Sequence, residues 1–236
     1  MEIEGQLNPD ERRLLTEAIR TASKRVNAVL EVGTWLGGGS TIHILRALEE
    51  NKHGHLWGIE ADESIYKQMI DNIRAAAPEA IARFTPLFGL SQDVIPRWLA
   101  EKGQDFQIDL AFLDGGNNPL EQIIEFRLID PFMPVGGTLM THDAKLRKGK
   151  WLVPYVSRLD NWESDLHDVS VEGLFFAKKI APLPSPNSLR SARLHLLRMR
   201  CEPAELAAAL LPTKVCGAVL ALLPRHLSLK LGEGRA

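Results

Sequence analysis

The residues best equipped for chemistry are a glycine-rich turn, four acids and one histidine. Glu31-Val-Gly33-Thr-Trp-Leu-Gly37-Gly38-Gly39-Ser40-Thr41 sets its glycines in the spacing G-x-x-x-G, with an acid two residues before the first. Glycines let a backbone turn with positive φ and come close to a ligand. A helix start after such a turn offers free N–H groups to an anion. The spacing is not the G-x-G-x-x-G of dinucleotide-binding turns, which disfavours an NAD-dependent oxidoreductase. Glu60 follows a second apolar run, His55–Glu60, so in a doubly wound sheet its carboxylate lies beside the first turn. There it can accept from both hydroxyls of a ribose. Together the two features point to a nucleoside ligand. Further along, Asp114 and the sequence His142-Asp143-Ala144-Lys145 place two carboxylates, an imidazole and an amine at the ends of two later apolar runs.

These residues need a scaffold that brings strand ends together. Short apolar runs at 26–32, 55–60, 84–88, 108–113 and 137–141 read as strands. Between them, 40–49, 64–77, 92–101 and 120–132 have helical spacing. An earlier helix begins at Asn8-Pro9-Asp10-Glu11, where Asn caps, Pro fits the first position and the acids suit the positive end of the dipole. Strands alternating with helices predict a Rossmann-like, doubly wound α/β fold with a mostly parallel seven-stranded sheet, ligands binding beyond the C-terminal strand ends. After residue 150 the pattern changes: 165–171 and 174–179 read as an antiparallel hairpin turning at Glu172-Gly173.

Charge marks a second region. Residues 181–236 carry a net charge of +5 and the rest −7, for −2 in all, and the Pro-rich stretch 181–187 stands at the junction. We therefore expect a domain over 1–180 and a basic, Leu-rich helical extension over 181–236, with helices at 189–200, 204–211 and 215–231. Such an extension suits packing or a homodimer contact better than peripheral membrane contact, although basic residues do flank its apolar faces. The near-neutral total argues against nucleic acid as a partner. Two cysteines make no disulfide framework, and no apolar run approaches the roughly 20 residues that span a bilayer. A cytoplasmic protein is expected.

Leu30-Glu31-Val32-Gly33 with Gly37, and Gly58-Ile59-Glu60, resemble the first two cofactor motifs of class I S-adenosylmethionine-dependent methyltransferases. Gly89-Leu90-Ser91-Gln92-Asp93 through Pro96 is similar to the adenine-holding segment of the catechol and caffeoyl-CoA O-methyltransferase branch. Phe112-Leu113-Asp114 resembles that branch's fourth strand, Gly136 to Asp143 its fifth, and Glu172-Gly173-Leu174 its final hairpin. The resemblance spans about residues 26–180 and implies roles one residue at a time. Glu31, Gly33 and Gly37 would shape the methionine end of S-adenosylmethionine. Ser40 or the Gly39 amide would meet its carboxylate. Glu60 would hold the ribose, Ser91 and Gln92 would read the adenine, and Asp114 would lie near the amino group and the acceptor.

The same resemblance exposes departures. The branch holds Mg²⁺ with an acid at Asp114 and an Asp-Asn pair, which here is Asp143-Ala144. Its catalytic lysine falls at Asn117, and an amide is no base at neutral pH. Two carboxylates with waters could still hold Mg²⁺, an ion that keeps several waters. Deprotonation of a hydroxyl acceptor needs a base within hydrogen-bond reach. His142 is the first candidate, with an ordinary pKa of about 6.5. Lys145 is the second and would need a lowered one. The expected function is O-methylation of a small-molecule acceptor. The rivals are metal-independent N- or carboxyl-methylation, and cofactor binding without catalysis on the same fold.

Overall fold

The computed structural model describes residues 3–21 and 25–201. The elements run α1 (Pro9–Arg20), β1 (Ala28–Val32), α2 (Thr41–Glu50), β2 (His55–Glu60), α3 (Glu63–Ala76), β3 (Phe84–Phe88), α4 (Ser91–Lys102), β4 (Leu110–Leu113), α5 (Pro119–Ile129), β5 (Thr138–Thr141), α6 (Gly149–Val156), β6 (Trp162–His167), β7 (Leu174–Lys179) and α7 (Pro186–Arg200). One seven-stranded sheet has the order β3-β2-β1-β4-β5-β7-β6. The first five strands are parallel and β7 pairs antiparallel with both neighbours. This is the doubly wound, Rossmann-like sheet expected.

The two central strands explain their own runs. Every residue of β1 and β4 is buried, because helices cover both faces of a parallel sheet. One apolar layer joins Ile123, Phe126, Trp151 and Leu152 to one face; a second packs Leu15, Ile44, Leu45 and Met69 on the other. Register then fixes the strand ends. Val32 stands opposite both Ile59 and Leu113, and Leu113 opposite Thr141. The residues that follow, Gly33, Glu60, Asp114 and His142, therefore emerge side by side at the C-terminal edge. Backbone bonds carry the ladder just past the strands: Gly33 N–H donates to the Ile59 carbonyl at 2.9 Å and Asp114 N–H to that of Val32 at 2.8 Å. The chain reverses its winding between β1 and β4, so the edge opens at that switch point.

Several segments differ from their sequence pattern. The α5 helix stops at Ile129, and Asp130-Pro131-Phe132 forms a 3₁₀ turn. The hairpin strand β6 begins earlier than expected, at Trp162, and ends at His167. Residues 168–173 cannot extend it because other elements claim them. The Ser170 hydroxyl donates to Glu11 of α1 at 2.6 Å, the Ala144 and Lys145 amides donate to the carbonyls of Gly173 and Glu172, and Lys145 Nζ reaches Asp168 and the Ser170 carbonyl. Helix α6 has no counterpart in the sequence reading. Its GKWLVPYV carries Pro154 and two valines in place of helix formers, and it forms because Trp151, Leu152, Tyr155 and Val156 are buried against α5 and α7.

Helix α7 starts at Pro186 with Ser185 as its cap. It packs on α6, and Ala192 and Leu196 belong to the same apolar layer as β4. The expected helices at 204–211 and 215–231 lie outside the described residues. Among the described residues, no helix is long and apolar enough to cross a membrane.

If α7 is part of the main core, Leu196→Ala, at a position 5% exposed, should cost about 2–4 kcal/mol. Urea denaturation followed by tryptophan fluorescence should show one transition at a lower midpoint; two transitions, or an unmoved midpoint, would separate the helix from the domain.

Candidate functional site

The glycine turn between β1 and α2 is shaped by what lies against each glycine. Gly33 has φ +86°, and a Cβ there would fall 2.4 Å from the Asp114 carbonyl oxygen, so only glycine lets the turn pass the end of β4. Gly37 gives way to Ile73 of α3. Gly38 and Gly39 serve a different neighbour. A Cβ on Gly38 would meet the Ile3 and Glu4 carbonyls at 2.3 and 2.2 Å, and Gly39 faces the Gln6 amide and Leu7. The extra glycine of this turn thus admits residues 3–7, which run across it backbone to backbone.

Beneath the turn Glu31 is wholly buried. Its Oε1 accepts from the Ser40 hydroxyl, and its Oε2 has no partner. Burial pushes its carboxyl up to about 8, opposed by the Ser40 and Thr41 hydroxyls and helped by the charges of Asp114 and Glu60. A buried carboxylate oxygen without a partner is costly, and this one fits a cationic amino group. Glu60 lies across the turn. It accepts from the Trp35 amide at 2.9 Å and from the Ala61 and Asp62 amides at 2.9 and 3.0 Å. Two carboxylate oxygens offer about four lone-pair positions, so beside these three amides about one is left, for a ribose hydroxyl. A buried carboxyl group, a turn shaped by glycines and an adjacent strand-end carboxylate stand where the sequence placed the amino-acid tail and ribose of S-adenosylmethionine.

The expected adenine readers divide. Ser91 is buried and donates to Glu125 Oε1 of α5 at 2.5 Å, while Gln92 is half-buried at the start of α4. Glu125 is itself buried, with Oε2 unpartnered, and burial pushes its carboxyl up to about 7. Its sequence signal was a single acid among the apolar Ile123, Ile124 and Phe126.

The ends of β4 and β5 carry the densest charge. Asp143 has φ +56°, an uncommon backbone conformation that Asp tolerates better than most residues. Asp114, His142 and Asp143 each present one ligand atom within 4.8 Å of the others, a grouping a metal ion could use. Yet Lys148 lies there, with Nζ 2.7 Å from Asp114 Oδ1 and 2.8 Å from Asp143 Oδ2, its side chain 3% exposed. His142 completes the cluster, its Nδ1 3.3 Å from both aspartates and its Nε2 3.4 Å from Glu11 Oε1. These are ion-pair contacts, since neither ring nitrogen has an aligned hydrogen bond. Burial opposes charge on the ring, but the three carboxylates prevail and raise its pKa to about 10. Burial likewise works against the Asp114 carboxylate, and Lys148 and His142 outweigh it and hold the pKa low.

The structure thus gathers Glu31, Gly33, Ser40, Glu60, Asp114, His142 and Asp143 on one edge. It brings the other two expected catalytic residues elsewhere. Asn117 is exposed in the turn before α5, and Lys145 points away to Asp168. As for base chemistry, a histidine that keeps its proton at neutral pH does not take another, so His142 acts here as a cation. With an ammonium between the two aspartates and Ala144 offering no oxygen, the donor set does not fit Mg²⁺. Trp151 and Trp162 are buried in the core, and Trp35 lies in the glycine turn. Sequence reasoning missed Lys148 and the site role of Glu11; the signals were a basic run, Lys145 to Lys150, just after the acid, and a capping-box Glu that proves 1% exposed.

A family model described as a methyltransferase domain matches residues 30–144, which contain the glycine turn, Glu60, Asp114 and Asp143. A search of curated proteins gives no match. Among solved structures, an O-methyltransferase from Bacillus cereus in complex with SAH is similar at 18% identity and a TM-score of 0.59, covering 74% of this chain and 82% of that one. A Staphylococcus aureus structure bearing the name caffeoyl-CoA O-methyltransferase is similar at 16% identity and a TM-score of 0.58, covering 75% and 86%. A methyltransferase from Geobacter sulfurreducens has 16% identity and a TM-score of 0.56, covering 74% and 80%. The resemblance read from the sequence is borne out in the fold, which this chain shares with these methyltransferase structures, one of them bearing the caffeoyl-CoA O-methyltransferase name.

Gly38→Ala should force residues 3–7 off the glycine turn, since the new Cβ has only backbone to meet. Hydrogen exchange should then quicken at the amides of residues 5–7 while those of β1 and β4 keep their protection.

Proposed function

We propose that the protein is an S-adenosylmethionine-dependent methyltransferase acting on an oxygen of a small-molecule acceptor. The observation that carries this is the unpartnered Glu31 oxygen under the glycine turn with Glu60 on the adjacent strand end. Glu31 would face the amino group of the cofactor's amino-acid tail and Glu60 its ribose, with Ser91 and Gln92 toward the adenine. When bound, the cofactor supplies an electrophilic methyl on sulfonium sulfur. The chain's own work is alignment and charge control. Holding two reactants in line supplies roughly 7–11 kcal/mol in favourable intramolecular cases. The strand ends of β4 and β5 flank the space an acceptor would occupy, and Asp143, the most exposed acid of the cluster at 18%, is the group best placed to take a hydrogen bond from an acceptor hydroxyl. The buried cations Lys148 and His142 favour negative charge building on oxygen beside it.

Calorimetric titration with the demethylated product, S-adenosylhomocysteine, tests the binding half. Glu60→Ala should weaken binding by about 1.5–3 kcal/mol, the range for a hydrogen bond to a charged group; an unchanged dissociation constant would remove Glu60 from the ribose role. Turnover of methyl-labelled donor against a panel of phenols, catechols and carboxylic acids tests the rest, and tight binding with no transfer to any of them would leave a cofactor-binding protein without catalysis.

Glu31 gives a pH signature. Its carboxyl is raised to about 8, so at neutral pH the free protein holds a proton there. An incoming ammonium group favours the ionised form and expels that proton. Affinity should therefore climb as pH rises toward about 8 and flatten above it. Titrations in two buffers of different ionisation enthalpy should reveal proton release, and Glu31→Gln should abolish it. With no ligand the sign reverses: the raised carboxyl lowers folding stability progressively as pH rises from about 4.5 to about 8.

A further inference from the structure

Three carboxylates, Glu11, Asp114 and Asp143, share the cluster with two cations, His142 and Lys148. A site built to receive a divalent ion would present its acids with no cation between them. Here Lys148 Nζ bridges the same two aspartates that such an ion would need, and its remaining reach is toward the Gly115 carbonyl at 3.3 Å. The local backbone explains how it gets there. Lys148 is the N-cap of α6, and the next residue, Gly149, sits so close to Ala144 that a Cβ would fall 2.4 Å from the Ala144 carbonyl oxygen and 2.6 Å from its Cα. The chain from Asp143 to Gly149 therefore closes on itself and returns the lysine over the acid it has just left. Ala144, which removes a side-chain oxygen, and Gly149, which permits the closure, act in the same direction.

Displacing Lys148 would be costly. Its side chain is 3% exposed, and an ammonium expelled into a core without a partner loses several kcal/mol of solvation. A divalent ion bound with the lysine still present would face its charge and that of the imidazole at contact distance. Mg²⁺ also asks for near-octahedral oxygen at about 2.0–2.1 Å, and the side chains at the aspartate pair offer nitrogen instead.

We infer that Lys148 is the resident cation of this site: it stands where a divalent ion would bridge Asp114 and Asp143, excludes that ion, and acts as the positioning residue that holds the two carboxylates together for the acceptor. The positioning role rests on the methyl-transfer reading; the exclusion of metal does not.

The test uses the full chain without cofactor or acceptor, so its failure is distinct from failure of the functional reading. Mn²⁺ is titrated and followed by electron paramagnetic resonance, and melting is recorded with Mg²⁺ and with a chelator. The wild type should show no saturable Mn²⁺ site and no shift in melting with either addition. Lys148→Ala, and Lys148→Met as the better-packed alternative if alanine does not fold, should melt lower, gain one saturable Mn²⁺ site and recover stability with Mg²⁺. Lys148→Arg, which keeps the charge, should remain blind to metal. A wild-type site that saturates with Mn²⁺ and disappears in Asp143→Ala would overturn the inference, as would folded neutral variants that gain no metal. Should neither neutral variant fold, the wild-type titration alone decides.

Discussion

Five ionisable side chains, three buried and two partly buried, gathered where β4 and β5 end are the constraint on which this edge of the molecule depends. An isolated buried charge costs several kcal/mol, and a set of them is tolerable only when every member is paired. Glu11 comes from the first helix, Asp114 from the end of β4, His142 and Asp143 from the end of β5, and Lys148 from the start of α6. Each takes at least one partner from another element. The cluster therefore fixes where α1 docks, how the β5–α6 turn closes and which way the two aspartates face, and the space left beside them follows from that.

The glycine turn obeys a different rule, one of close approach. Each glycine is required by a different neighbour: the β4 end at Gly33, helix α3 at Gly37, the N-terminal segment at Gly38 and Gly39. A turn so crowded from below and from the side has little freedom, which suits a pocket that must present a buried carboxylate at a set depth.

How much of this was legible beforehand depends on range in sequence. Central parallel strands are buried on both faces, so 28–32 and 110–113 stand out as apolar runs whose ends locate Gly33 and Asp114, and the runs of β2 and β5 locate Glu60 and His142 in the same way, without knowledge of contacts. The illegible parts needed tertiary closure. Lys148 carries no local mark among the cations after Asp143, because only the approach of Gly149 to Ala144 turns it inward. Glu11 showed its local role as a capping acid and hid its distant one. Helix α6 lacked helical composition and forms through burial. Strand β6 looked longer at its far end because nothing local says that residues 168–173 are taken by α1 and by the loop after β5. His142 was a reasonable base on its ordinary pKa and became a cation only when three acids closed around it.

The double duty of Glu11 has a consequence for dynamics. Its Oε2 accepts from the Asn8 amide to complete the cap of α1, while Oε1 accepts from Ser170 and faces His142. Peripheral first helices are commonly the earliest part of a domain to fray. This one cannot peel away without leaving an imidazolium short of a counter-charge in the interior, so its opening is tied to the breakdown of the whole charged edge. The amphipathic cylinder and the polar centre behave as one cooperative block, a foldon joining two ends of the sequence that share no strand.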